Sequence, residues 1–161
     1  MDRVNKAVEY YMRDFCCAQG VFAAYATETG MDEKTALKIG TVLGGGARKG
    51  EICGAVSGAL MVIGLRYGYC EESDIEGKMR ARGIAERYLN RFIEKNGSVV
   101  CRQLLGYDLT RPDERAKIEE RDLFHTMCPE FVRSAAQLLE EIIAEEDSRA
   151  GMNPDAKAGL T

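Results

Sequence analysis

The sequence has no excess of positive charge and no long hydrophobic run. Its 26 Asp and Glu residues outnumber its 22 Lys and Arg residues, which gives a formal net charge of −4. Because nucleic acids and anionic membranes are bound by basic surfaces, neither is an expected partner. The longest apolar stretch, residues 55–65, is interrupted by Ser57, Gly58 and Gly64 and is too short to cross a bilayer. The composition therefore indicates neither a membrane-spanning protein nor a nucleic-acid-binding one.

The sequence also lacks the features of a secretory signal. Residues 1–6 lead directly into an amphipathic pattern, without an apolar segment followed by a small-residue cleavage site. We therefore expect a cytoplasmic protein. Six cysteines in a reducing compartment are more typical of metal binding or catalysis than of a disulfide framework.

No run of β-branched residues alternates with polar residues, so no β-strand is expected. Apolar residues instead recur at steps of three and four, and 161 residues correspond to one domain. The sequence therefore predicts an all-α, single-domain bundle over residues 1–147, followed by a loose C-terminal tail over residues 148–161. The predicted helices cover residues 3–28, 32–43, 51–67, 75–95, a short segment after Ser98, a helical turn started by Pro112 in the polar stretch 107–121, and residues 129–146.

The predicted helix over residues 51–67 is apolar on almost every side. Such a helix is expected at the buried centre of a domain. Gly54 and Gly58, each followed by an alanine, give it a face of small residues on which another backbone can pack closely.

Four of the six cysteines occupy informative positions. Cys53, Cys101 and Cys128 lie at predicted helix starts, and Cys17 lies within the first predicted helix. Helix starts carry unpaired N–H groups and the positive end of the macrodipole, which favour a thiolate. The thiolate is the form of cysteine that binds metals and reacts. These positions indicate a redox or metal protein based on sulfur.

The strength of the helix dipole limits this interpretation. A helix start stabilises an anion by ~0.3–1 kcal/mol, less than one pKa unit, so it cannot maintain a thiolate alone. Gathered thiolates would also repel one another unless a cation or a cluster lay between them. Three interpretations remain open: a metal centre, a pair of disulfides, or buried thiols that never meet. Because the chain has no CxxC pair and no haem-attachment motif, a shared site must be assembled from separate helices.

A glycine-rich loop, residues 44–50, precedes Cys53 and contains Arg48 and Lys49. It lacks the Gly-Lys-Ser/Thr ending of a phosphate-binding P-loop. We expect its backbone N–H groups to face the Cys53 sulfur or a nearby cluster, as anion-binding nests do.

The remaining candidates are weaker. His125, the single histidine, is interpreted as a solvated loop residue. Cys16 points about 100° away from Cys17 on a helix, so the two are not expected to share one site. Cys70 follows a helix end and is expected at the surface or in the core.

Several segments of the chain form one ordered combination of motifs: Cys17-Ala18-Gln19, Gly44-Gly45-Gly46, Cys53-Gly54-Ala55 with Gly58, Gly97-Ser98 with Cys101, Leu104-Leu105-Gly106, and Cys128. This combination resembles the redox-active family called C-GCAxxG-C-C over residues 5–145. One departure is that the chain has Cys53-Gly54-Ala55 where the family's name has Gly-Cys-Ala. The resemblance implies redox chemistry at Cys17, Cys53, Cys101 and Cys128 without naming a substrate.

The leading hypothesis is electron transfer through an iron–sulfur centre, [2Fe–2S], with an unknown redox partner protein. The four cysteines named by the resemblance would be its ligands, and Gly45, Gly46, Arg48, Lys49 and Arg102 would stabilise its negative charge. A second hypothesis is thiol–disulfide chemistry without metal, carried by Cys53 and Cys101. A third is a structural zinc site or a packed helical module without any cofactor. The first two require the four sulfurs to share one pocket.

Overall fold

The computed structural model describes residues 2–152, which form nine helices and no strand. The predicted all-α fold is therefore confirmed. No helix among these residues combines the length and the apolar character needed to cross a membrane. The helices are α1 (Arg3–Met12), α2 (Cys17–Ala26), α3 (Glu33–Gly40), α4 (Gly54–Tyr67), α5 (Ile75–Asn96), α6 (Cys101–Leu105), α7 (Pro112–Glu120), α8 (Leu123–Thr126) and α9 (Cys128–Met152).

Three helices begin after an aspartate whose side chain caps them. The carboxylates of Asp2, Asp32 and Asp74 each accept the backbone N–H three residues further on, at 2.8, 2.9 and 2.8 Å. Such caps satisfy N–H groups that a helix start leaves unpaired. They fix the starts of α1, α3 and α5, and they differ from the cysteine-bearing starts of four other helices.

The first predicted helix, residues 3–28, is wrong as a single element because the structure divides it in two. Asp14 interrupts it in the left-handed conformation, with φ of 65°, which aspartate tolerates better than most residues. The N–H of Cys16 then donates to Gln19 Oε1 at 2.9 Å, and α2 begins at Cys17. Both helices pack on the same core, so the apolar spacing continues across the break and conceals it.

The main core surrounds α2, in which every residue from Gly20 to Ala26 is buried. A Cβ on Gly20 would lie 2.7 Å from the Ala7 carbonyl oxygen of α1, and one on Gly58 would lie 2.8 Å from the Ala18 carbonyl oxygen. The close-packing face predicted at Gly58 is therefore present. The large side chains fully buried in this main core are Val21, Tyr25, Val56, Val62, Ile63, Ile84, Tyr88, Phe92, Val132, Leu139 and Ile142.

The helix expected at the centre, over residues 51–67, begins later and is less enclosed than predicted. α4 starts at Gly54, is buried mainly along its first half, and exposes Leu65 near its end. The more completely buried helix is α2. The alanines and the glycine of α2 give its faces similar hydrophobicity. The apolar pattern of the sequence therefore indicated α4, and not α2, as the buried central helix.

A second, smaller cluster of apolar side chains lies in the region that the sequence described only as a polar stretch. Pro112 starts α7, as expected, but Ile118 of α7 is fully buried. This small core consists of Cys101, Leu105, Leu109 and Ile118, with Tyr107, Leu123, Phe124 and Cys128 packed against it.

The last helix continues past the predicted start of the tail at residue 148 and reaches Met152. Arg149 pairs with the buried carboxylate of Glu146 at 2.9 Å, and the Ser148 hydroxyl donates to the Ala144 carbonyl at 2.8 Å. These local contacts support a helical turn without an apolar face, which hydrophobic periodicity does not detect. The rest of the predicted tail, residues 153–161, lies outside the described residues.

Candidate functional site

All four cysteines of interest lie at helix starts. Cys17, Cys101 and Cys128 are the first residues of α2, α6 and α9, and Cys53 immediately precedes α4. The sequence placed Cys17 inside a helix, and the break at Asp14 corrects that position. No side-chain hydrogen bond caps the starts of α4 and α6, in contrast to the aspartate-capped helices.

A short pairing of two extended segments holds Cys53 beside Cys101. Ile52 and Val100 form an isolated antiparallel bridge. The Cys53 N–H donates to the Val99 carbonyl at 2.8 Å, and the Cys101 N–H donates to the Glu51 carbonyl at 2.6 Å. The backbone therefore fixes where these two cysteines lie relative to each other. The sequence predicted a helix over residues 51–53, so it did not predict this pairing of extended segments.

Gly54 makes room for the sulfur of Cys17. A Cβ at position 54 would lie 2.5 Å from Cys17 Sγ and 2.9 Å from the Leu43 carbonyl oxygen. A real Cβ cannot approach so closely. The glycine that follows Cys53 therefore allows Cys17 Sγ to approach the start of α4, where it lies within hydrogen-bonding reach of the Cys53 side chain.

The four sulfurs line one cavity of about 340 Å³. Cys53 and Cys101 are buried, whereas Cys17 and Cys128 are partly buried. The convergence on which both leading hypotheses depend is thus present. The other lining residues are Tyr11, Met12, Asp14, Phe15, Cys16, Gly44, Gly45, Arg48, Leu104, Leu105, Leu109, Arg115, Phe124, His125 and Phe131.

Three thiols of this cavity, those of Cys17, Cys101 and Cys128, do not have the lowered pKa values expected at helix starts. Burial raises the pKa of the Cys101 thiol to about 12, and the neighbouring Cys17 and Cys128 add to the rise. The pKa of Cys17 is raised well above its usual value, first by its hydrogen bond with Cys53 and then by burial. Loss of hydration outweighs the helix dipole here. These three groups are therefore neutral thiols at pH 7 when no cation lies between them.

Tyr11 is a site residue that sequence reasoning assigned to packing. Its hydroxyl donates to the Phe124 carbonyl oxygen at 2.7 Å. The same hydroxyl lies beside Cys128, where burial raises the thiol pKa to about 11 and the contact with Tyr11 lowers it in part. Because Tyr11 fits the apolar spacing of α1, no sequence signal separated it from the packing residues.

The glycine-rich loop adopts a rare conformation beside the cavity. Gly45, Gly46, Ala47 and Arg48 all have positive φ, between 52° and 64°. A Cβ on Gly46 would lie 2.4 Å from the Glu51 nitrogen, so glycine is needed there. Each non-glycine residue in this left-handed conformation costs ~1–2 kcal/mol. Backbone strain of this kind is concentrated at functional sites.

The glycine-rich loop reaches one sulfur of the cavity through Gly45, whereas the sequence predicted N–H groups facing the Cys53 sulfur or a nearby cluster. The N–H groups of Gly45 and of Ala18 in α2 act on the Cys17 sulfur and lower its pKa, although they do not outweigh the hydrogen bond with Cys53 and burial. Gly45 lines the cavity, whereas Gly46 is buried but does not line it. One N–H group of the loop therefore acts on Cys17.

The three predicted cations occupy different places. Arg48 lines the cavity, but Lys49 does not. Arg102 also lies outside the lining and pairs with Glu51 at 2.6 Å on the surface. Of these three cations, only Arg48 is placed to act on a group held by the sulfurs. Arg115 also lines the cavity, although no sequence pattern indicated it.

The sequence assigned no role in the site to Cys16, Cys70 or His125. In the structure, one of them lies at the surface and the other two line the cavity. Cys70 is exposed. Cys16 lines the same cavity as Cys17, contrary to expectation, but its thiol donates to the Gly40 carbonyl oxygen at 3.3 Å. His125 is exposed and hydrogen-bonds Asp122, as a solvated histidine would, yet it also lines the cavity.

The sulfurs surround the cavity without meeting at one point. Within residues 2–152, no group of three or more His, Cys, Asp or Glu side chains is placed to hold a single metal ion. All six cysteines are free thiols. The arrangement offers the sulfurs of the four cysteines of interest around a space, with Cys16 also in the lining, so a bound group would have to lie between the four sulfurs.

An all-α domain in which four helix starts bring four cysteines to one cavity defines a protein whose chemistry depends on sulfur. Residues 15–142 match the family model described as "Putative redox-active protein (C_GCAxxG_C_C)", and the chain belongs to this family. No curated protein and no experimentally determined structure matches the chain.

Proposed function

We propose that this protein transfers electrons through an iron–sulfur centre, of the [2Fe–2S] type, held by Cys17, Cys53, Cys101 and Cys128. The supporting observation is that these four sulfurs, from four separate helices, line one cavity. Thiolate sulfur is the common ligand of such centres. When bound, the centre would accept one electron and pass it on to a redox partner protein. The proposal includes the reducing cytoplasm, where free thiols persist.

The protonation of the cavity fits a bound metal group. Burial keeps the thiols of Cys101 and Cys128 neutral near pH 7. Metal ligation requires thiolates, so binding would release these protons and replace several desolvated thiols with ligands of a cation. The apolar lining would limit the access of water to the sulfurs.

Several groups of the chain are placed to stabilise negative charge on the sulfurs. The N–H groups of Gly45 and Ala18 act on the Cys17 sulfur. Arg48 adds a cation at the cavity. Hydrogen bonds to ligand sulfurs and nearby positive charge raise the reduction potential of an iron–sulfur centre.

The test is anaerobic reconstitution with iron and sulfide, followed by an absorption spectrum and iron and sulfide analysis. We expect visible absorption that dithionite bleaches reversibly. Replacing any one of the four cysteines with serine should remove most of this absorption, whereas Cys70→Ser, at an exposed position, should retain it. A colourless protein after reconstitution, or equal loss in Cys70→Ser, would contradict the proposal. Stoichiometric zinc with no visible absorption would favour the structural-zinc hypothesis.

A second function, thiol–disulfide exchange, is supported by the contact between Cys17 and Cys53. The Cys53 thiolate would attack a partner's disulfide, releasing one partner thiolate and forming a mixed disulfide. Cys17 would then displace the second partner sulfur. The products are a Cys17–Cys53 disulfide and a dithiol on the partner, which gains the two electrons and two protons. The contact favours Cys17, in place of the predicted Cys101, as the proposed partner of Cys53.

Mass spectrometry of alkylated, metal-free protein separates the two functions. Mild oxidation should remove labelling from Cys17 and Cys53 together if they form a disulfide, while Cys101 keeps its label after unfolding. Independent or absent loss at the two positions would argue against the exchange reaction.

A further inference from the structure

The cavity has different chemistry at its two ends. Cys53 and Cys101 are buried at the inner end, whereas the lining residues Arg48, Arg115 and His125 are exposed. Asp14 is the one acidic residue that lines the cavity within residues 2–152. In a chain with a net charge of −4, three basic side chains therefore line the mouth of this cavity against one acidic side chain.

Arg48 differs from the other two basic groups at the mouth. Arg115 pairs with Glu119 at 2.9 Å and His125 with Asp122 at 2.6 Å, whereas no carboxylate of residues 2–152 lies within 4.0 Å of the Arg48 guanidinium. Arg48 also has a left-handed backbone, with φ of 64°. Strain is retained where it positions a functional group, and here it holds an arginine without a carboxylate partner at the cavity.

Much of the remaining lining is apolar and includes Leu109, Phe124 and Phe131. The cavity as a whole, including the space between the sulfurs, measures about 340 Å³. This volume lies within the ~300–1,000 Å³ range of small-molecule sites, which combine apolar walls with a few polar groups. The mouth therefore suits a molecule with an apolar body and one acidic group.

We propose that the mouth of the cavity binds a small organic anion, whose acidic group lies at Arg48 and whose apolar body lies against Phe124 and Leu109. The inference deepens the proposed function and rests on it only for the claim that this ligand lies next to a redox centre. The competing explanation is that Arg48 serves only to neutralise the charge of a group bound to the sulfurs.

The test is calorimetric titration of the full chain with benzoate and with its neutral isostere benzamide, in metal-free and in iron-reconstituted protein. We expect benzoate to bind at least tenfold more tightly than benzamide, since a charge-assisted hydrogen bond is about twice as strong as a neutral one. Arg48→Asn should remove this preference and still fold, because asparagine tolerates the left-handed conformation. Lys49→Gln, adjacent to Arg48 but outside the cavity lining, should keep it. Asp14→Asn should strengthen benzoate binding.

Equal binding of benzoate and benzamide would overturn the inference, as would equal losses in Arg48→Asn and Lys49→Gln. The absorption spectrum of the same samples reports the proposed function separately. Visible absorption without benzoate binding would refute this inference and leave the proposed function standing. Benzoate binding to a protein that takes up no iron would support the inference and refute the proposed function.

Discussion

The main core and the small core differ greatly in size, although each contributes two cysteines to the cavity. The main core combines side chains from α1, α2, α4, α5 and α9 and includes Cys53, with Cys17 packed against it. The small core has only Cys101, Leu105, Leu109 and Ile118 as buried members, with Cys128 packed against it. The cavity lies where the two cores meet.

This difference shows how unequally the two halves of the site are supported. Burial of an apolar side chain contributes ~1.5–3 kcal/mol, so the few members of the small core offset little of the conformational entropy of residues 101–127. That segment must depend on its contacts with the rest of the chain. They include the hydrogen bond from the Cys101 N–H to the Glu51 carbonyl and the Tyr11–Phe124 hydrogen bond. A group bound to all four sulfurs would join the two cores directly.

The largest effect on the free energy of unfolding is expected from truncating one fully buried side chain in each core. Leu139 and Ile118 are both fully buried, one in each core. Leu139→Ala should lower the free energy of unfolding by ~2–5 kcal/mol. Ile118→Ala should lower it less, because the loss cannot exceed the free energy that holds the small core in place. Denaturant unfolding measures both losses, and hydrogen exchange should show that the Ile118→Ala effect is confined to residues 101–127. Equal losses, spread over the whole chain, would remove the distinction.

A smaller effect is expected at the boundary between the cores. Gly54→Ala should destabilise the protein by ~1–3 kcal/mol through overpacking, because the new methyl group would meet Cys17 Sγ and the Leu43 carbonyl. It should also reduce iron uptake after anaerobic reconstitution. Gly64→Ala is the control in the same helix, where a Cβ meets no atom within 4 Å. That variant should be stabilised by ~0.5–1 kcal/mol. Similar behaviour of the two variants would show that the close approach at Gly54 is unimportant.

The hydroxyl of Tyr11 links α1 to the small core. Tyr11→Phe removes the hydrogen bond to the Phe124 carbonyl and should cost ~0.5–1.5 kcal/mol. Hydrogen exchange should become faster around Phe124 and remain unchanged in α2. Tyr69→Phe, at an exposed position, serves as the control. No change near Phe124 would mean that other contacts hold the small core.

The smallest effect is expected from the surface ion pair between Arg102 and Glu51. Both side chains are largely exposed, at 42% and 55%, and exposed pairs contribute ~0–1 kcal/mol. Arg102→Gln should therefore leave the free energy of unfolding nearly unchanged. Redox titration of the reconstituted protein should also show a smaller shift in potential than Arg48→Gln causes. A larger shift in Arg102→Gln would reverse the roles assigned to the two arginines.

The sequence carried more information about the main core than about the small core. Regular apolar spacing predicted the helices of the main core within a few residues at most ends. α7 carries few apolar residues among many charges, so a single buried side chain such as Ile118 gave no periodic signal. The sequence also did not predict the break at Asp14. Here the apolar spacing is strong and continues across the break.

By itself, the sequence determined the all-α class and the four cysteines of interest. The apolar spacing is enough to predict the class, and the ordered combination of motifs is enough to identify the cysteines. Only the tertiary structure decided that their sulfurs share a cavity, that Cys17 begins a helix, and that Arg48 and Tyr11 line the cavity while Lys49 and Arg102 do not. The physical reason is that these relations depend on long-range contacts, among them a two-residue bridge, a glycine too crowded for any side chain, and the burial of the cysteines. No local pattern encodes the distance between residues so far apart along the chain.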